Sequence, residues 1–87
     1  MTTVSPPQTE INSVIALYSN GQIQEALDAV ETLTKSYPND PLLFNISGAC
    51  YAGLGQLNTA VTRYEQAIVI KPDYAEAHYN LGATLQE

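Results

Sequence analysis

Two side chains carry the chemistry most easily recruited for catalysis, and each occurs once: Cys50 and His78. A thiol nucleophile needs a base to ionise it, and a zinc ion needs several Cys or His ligands at set spacings. The sequence has no CxxC, no second histidine and no Ser/His/Asp arrangement. Cys50 therefore reads as a small buried hydrophobe, and His78 as a structural or surface residue. Asn45-Ile46-Ser47 spells a glycosylation sequon, but it falls inside a predicted helix. Gly53-Leu54-Gly55 is not followed by the Gly-Lys-Ser/Thr of a phosphate loop, so both glycines read as a helix-to-turn junction. Glu25, Asp28 and Glu31 form an acidic run that reads as a solvated helix face. No catalytic, cofactor-binding or metal-ligating residues are expected, and the chain does not read as an enzyme.

What remains is binding. In 87 residues, nine acids against three bases give a net charge of −6. Phosphate backbones and anionic membrane surfaces are held by clustered Lys and Arg, so neither is an expected partner. The hydrophobic share of 45% fits one folded domain with a small core. The N-terminus lacks the basic start and apolar run of a signal peptide, and no apolar stretch is long enough to span a membrane. One cysteine cannot close an internal disulfide, which fits a reducing cytoplasm.

The elements that must position a binding surface are repeated at a spacing of 34 residues. Pro7 recurs as Pro41, Ser13 as Ser47, Gly21-Gln22 as Gly55-Gln56, Ala26 as Ala60, Glu31 as Glu65 and Pro38 as Pro72. Gly48-Ala49 returns as Gly82-Ala83 in a third copy that begins at Ala75. The period divides the chain into a disordered leader (1–6), repeats 7–40 and 41–74, and a partial repeat 75–87. Apolar residues at three- and four-residue steps predict two helices per repeat. They run from Gln8 to Asn20, Gln22 to Ser36, Leu42 to Leu54, Gln56 to Ile70, and Ala75 to Gln86. Gly21 and Gly55 supply the turns within pairs, and Pro38 and Pro72 end the second helices. Asp40-Pro41 reads as an N-cap followed by proline in the first turn. Asp73 to Glu76 has capping-box spacing, and Ser5 to Gln8 offers a weaker version. Gly48 and Gly82 share a column where a missing side chain lets a neighbouring helix approach. The last helix is expected to pack on repeat two through Ala77, Leu81 and Leu85.

The pattern resembles the tetratricopeptide-repeat family. Phe44, Ser47-Gly48, Tyr51, Gly55, Ala60, Tyr64, Ala67 and Pro72 fall in its signature columns, and His78-Tyr79-Asn80-Leu81-Gly82 continues it. The departures are Glu10 and His78 where a large aromatic is frequent, Val14 at the small-residue column, and Ser13 and Ser47 where leucine is usual. The resemblance implies an all-α fold: a right-handed α-solenoid of antiparallel helix pairs, five helices in all, with a concave groove. It implies a protein–protein interaction scaffold that takes an extended peptide or partner helix along its first helices. The groove columns that it implies hold Ile11, Asn12, Ile15, Tyr18, Leu42, Asn45, Ala49, Tyr79 and Asn80.

Some family members clamp acidic chaperone tails with basic residues in the groove. Here those columns hold Ile11, Ile15, Ile46, Glu76 and Asn80, so neutral or basic partners are expected instead. The columns also resemble the asparagine ladder in the arrays of O-linked N-acetylglucosamine transferase-like proteins. Asn12 and Asn80 occupy that ladder, while Ile46 interrupts it. The partial third repeat suggests the N-terminal part of a longer protein. Two alternatives are the substrate-recognition arm of a transferase, or a self-association module forming a homodimer through the C-terminal helix. A cytoplasmic location is expected throughout.

Overall fold

In a computed structural model, which describes residues 5–86, the chain folds into five helices and no strands among those residues. They are α1 (Gln8–Ser19), α2 (Ile23–Ser36), α3 (Pro41–Gly53), α4 (Leu57–Ile70) and α5 (Ala75–Leu85). Every boundary lies within one residue of its sequence expectation. Most of the expected leader lies outside the described residues, although Pro6 is buried.

The two turns within pairs are copies of each other. Gly21 and Gly55 adopt φ of 82° and 80°, a left-handed conformation that strains residues carrying a Cβ. The amide of Gln22 donates to the Leu17 carbonyl and that of Gly21 to Tyr18; Gln56 donates to Tyr51 and Gly55 to Ala52. These paired bonds are the Schellman arrangement, which satisfies carbonyls at the end of the first helix. Between pairs, Tyr37 and Lys71 close α2 and α4 just before Pro38 and Pro72.

Helix starts are less regular. Asp40 caps α3 as expected: its carboxylate accepts from the Leu42 amide at 3.0 Å, with Pro41 in the first turn. The expected capping box at Asp73 does not form. Tyr74 is the N-cap of α5 and no side chain caps it; the carboxylate of Glu76 is engaged by Asn45 of α3 instead. Pro7 is the N-cap of α1, also without a side-chain cap, so Ser5 does not serve there.

Helix α3 is the centre of the molecule, packing on α2, α4 and α5. One core cluster joins α1, α2 and α3 through Ile11, Val14, Leu27, Val30, Leu33, Leu43 and Cys50. A second, smaller one joins α3, α4 and α5 through Phe44, Ala67 and Ala77. The Gly48 column works as expected in repeat two: the buried ring of Tyr64 lies directly over Gly48. In repeat one the same pair of columns holds Val14 and Val30, both fully buried. Two medium side chains replace a large one over an absent one, which accounts for Val14 at a small-residue column. Gly82 differs, because nothing lies within 4 Å of where its Cβ would be.

Two other expectations are corrected. Leu85 is 66% exposed, and Thr84 is buried in its place. Thr84 lies seven residues beyond the buried Ala77, nearer to two whole helical turns than the eight of Leu85. Glu31 does not lie on a solvated face. It is half-buried and ion-paired with Arg63 of α4 at 2.7 Å, and it accepts from the Ser47 hydroxyl of α3 at 2.8 Å. That bond gives Ser47, fully buried, its reason for standing where leucine is usual. Arg63 also crosses the rings of Phe44 and Tyr51 at 5.9 and 5.8 Å, a favourable placement for a cation.

Candidate peptide-binding groove

The first helices of the three repeats together form a concave wall. Side chains three or four residues apart share a helix face. Helix α1 presents Ile15 and Tyr18, α3 presents Leu42, Asn45, Ile46 and Ala49, and α5 presents Glu76 and Asn80. They enclose a cavity of about 250 Å³. Ile15 and Tyr18 are 45% and 38% exposed, which leaves apolar surface open to a ligand.

Six of the nine groove residues expected from sequence line this cavity: Ile15, Tyr18, Leu42, Asn45, Ala49 and Asn80. Three do not. Ile11 is 5% exposed and belongs to the core. Asn12 is exposed and accepts from the Gln8 amide at 2.9 Å. Tyr79, 76% exposed, lies on another face with His78, Gly82, Ala83 and Gln86. Column position alone does not separate these, because a helix one residue further round turns the same column inward or outward.

Polar groups converge at the α5 side. The Asn80 amide donates to the Asn45 carbonyl oxygen at 3.1 Å, and the Asn45 amide donates to Glu76 Oε1 at 3.0 Å. Asn45 is almost wholly buried, so both ends of its amide need partners. It orients its neighbours rather than acting as a free rung of an asparagine ladder. Burial, and next the charge of Glu76, push the Tyr74 hydroxyl above its ordinary pKa.

None of the three bases lines the cavity. Lys35 and Lys71 are exposed, Lys71 standing 5.3 Å from the Tyr74 ring, and Arg63 is held by Glu31. Clefts of about 300 and 350 Å³ on other faces are somewhat larger. Each draws on a single helix pair, with Pro38 and Asn39 added to the second, whereas the groove joins all three repeats.

Among the described residues no three His, Cys, Asp or Glu side chains are grouped to hold a metal, and no helix is long and apolar enough to cross a membrane. Cys50 is fully buried. Burial first, and the charge of Glu31 second, push its thiol up to about 11. At pH 8 the reactive thiolate is then scarce. Alkylation by iodoacetamide is expected to run about a hundredfold slower than for a free thiol of ordinary pKa, reaching the ordinary rate in urea. Labelling at the ordinary rate without urea would contradict this burial.

Residues 48–87 match the family described as TPR repeat. Peroxisomal targeting signal receptors resemble the chain over most of its length. The Kluyveromyces lactis receptor is 29% identical over 76 residues, which is 87% of this chain and 13% of the receptor. Those of Candida glabrata and Saccharomyces cerevisiae are 28% and 27% identical over 78 residues, 90% of this chain and 13% of each receptor. The chain thus spans only a small part of the length of these relatives. The 34-residue period, the paired helices and the family match agree, and residues 48–87 belong to the tetratricopeptide-repeat family.

Proposed function

We propose that this chain is a protein-interaction module that takes an extended polypeptide segment, or one face of a partner helix, into the groove of α1, α3 and α5. The carrying observation is the cavity itself. Apolar side chains of α1 and α3 meet Asn45 of α3 and the Asn80 amide and Glu76 carboxylate of α5. Apolar walls supply affinity and a few placed polar groups fix orientation. That the relatives are named as receptors for a targeting signal supports recognition of a polypeptide, and favours this reading over the recognition arm of a transferase. Absence of bases from the groove lining supports neutral or basic partners. A cytoplasmic place of action belongs to the same reading, supported by a lone cysteine with no disulfide partner.

An array of capped octapeptides, followed by fluorescence polarisation on those retained, tests the site. Ile15→Glu adds a charge to the apolar wall at an exposed position and leaves the core alone. It is expected to weaken binding about tenfold, the equivalent of about 1.4 kcal/mol. Undiminished binding by this variant would remove the groove from consideration.

A second reading, self-association, has its own observation. On α5, Tyr79 and Leu85 are exposed and Gly82 offers open space of the kind that a tyrosine ring fills at Gly48. Sedimentation over a concentration series is expected to show a dimer that Leu85→Lys dissociates. A 9.4 kDa monomer at every concentration would dismiss it.

A further inference from the structure

The groove contains one carboxylate and no base, and its surroundings determine what that carboxylate can do. Glu76 stands in the first turn of α5, where a negative charge is favoured by the helix dipole. The buried Asn45 fixes one oxygen of it, and Asn80 fixes Asn45. Both amides point their donors the same way, toward the carboxylate. Such a chain holds the side chain in place before any ligand arrives, which lowers the ordering cost of binding. Among the described residues no Lys, Arg or His forms an ion pair with Glu76. Beside it, Leu42, Ile46 and Ala49 make an apolar floor.

An anchored acid at the edge of an apolar floor matches one kind of side chain. Lysine and arginine combine an aliphatic stem, which lies along apolar surface, with a cationic head. We propose that the groove reads a lysine or arginine in the bound segment, with the stem on Leu42, Ile46 and Ala49 and the head on Glu76. This rests on the groove reading above and adds the identity of one ligand side chain. Charge complementarity selects the occupant, because an acidic side chain would meet the fixed charge of Glu76 with no cation to offset it.

The test uses the full chain and three sets of octapeptides, acetylated and amidated. They are identical except for one position, which is lysine, norleucine or glutamate. Lysine peptides are expected to bind about five- to tenfold tighter than their norleucine twins, as for a partly shielded charge-assisted hydrogen bond, and glutamate peptides weakest. Glu76→Gln keeps an oxygen for the Asn45 amide and is expected to abolish the lysine advantage over norleucine. An unchanged circular-dichroism melt shows that the variant is folded. Equal binding of lysine and norleucine peptides that Ile15→Glu weakens would leave the groove standing and overturn the cation proposal. A gain seen only when the N-terminal acetyl group is removed would assign Glu76 to a terminal amine and overturn it too. Binding by none of the sets would overturn the proposal together with the groove reading.

Discussion

Replacing Gly48 with valine is expected to lower the stability of the fold by about 3 kcal/mol, the upper part of the range for overpacking a close-packed site. A Cβ at this position would sit 2.5 Å from Cε1 and 2.6 Å from Cδ1 of Tyr64, well inside van der Waals contact. The tyrosine cannot swing aside, since it is 3% exposed and enclosed by its neighbours. A valine gains a few tenths of a kcal/mol of helix propensity over glycine, too little to offset the clash. For a chain of this size the loss corresponds to roughly 12–24 °C in Tm. Repeat one indicates the remedy. Its equivalent columns are Val14 and Val30, both fully buried in one core cluster. Tyr64→Val alone should also destabilise, by leaving a void. The double variant Gly48→Val/Tyr64→Val should be more stable than the sum of its parts by about 2 kcal/mol, the signature of two residues in contact. Circular-dichroism melting of the four proteins decides this; a Gly48→Val chain melting within a few degrees of the parent would show that the ring has room to move.

Leu43→Ala should cost about as much, 3–4 kcal/mol, by a different route. Leu43 is one of the largest fully buried side chains and stands on α3, the helix that touches α2, α4 and α5. Truncation removes buried methyl groups and leaves a cavity that rigid helices cannot fully close. Small domains hold only about 5–15 kcal/mol in total, so the variant should lose a large part of its urea midpoint. Val69→Ala, at 79% exposure, is the matched control and should shift the midpoint little.

The features that were legible in the sequence are local. Glycine after a first helix, proline after a second and Asp-Pro before a third each act within a few residues. Helix ends could therefore be placed from sequence alone. What was not legible depends on residues far apart in the chain. Glu31 looks solvated on α2 because its partners, Ser47 and Arg63, arrive from α3 and α4. Glu76 looks like half of a capping box until Asn45, 31 positions earlier, takes its carboxylate. Ile11 and Tyr79 occupy groove columns, yet one is claimed by the core and the other turned outward, and helical period alone does not resolve which. Tyr64 over Gly48 could have been anticipated. The swap of Gly and Tyr for Val and Val between repeats is visible in the aligned copies once both columns are compared together.

The pairing of Glu31 with Ser47 and Arg63 bears on how the molecule comes apart. In repeat proteins each unit can open separately unless contacts between units penalise a partly open state. Here a charged, half-buried triad bridges the first unit and the second. Opening α1 and α2 alone would strand Arg63 over its aromatic rings and leave the buried Ser47 hydroxyl without its acceptor. Repeats one and two are thereby tied into one cooperative block. Among the described residues, helix α5 has no ion pair of this kind; it is held on α3 and α4 by the buried Ala77 and Thr84 and by the relay from Asn80 through Asn45 to Glu76. Unravelling is expected to be polarised, with the end that completes the groove released first. Amide exchange would see α5 open and close while the rest stays shut, so the groove exists intact only while that last helix is docked.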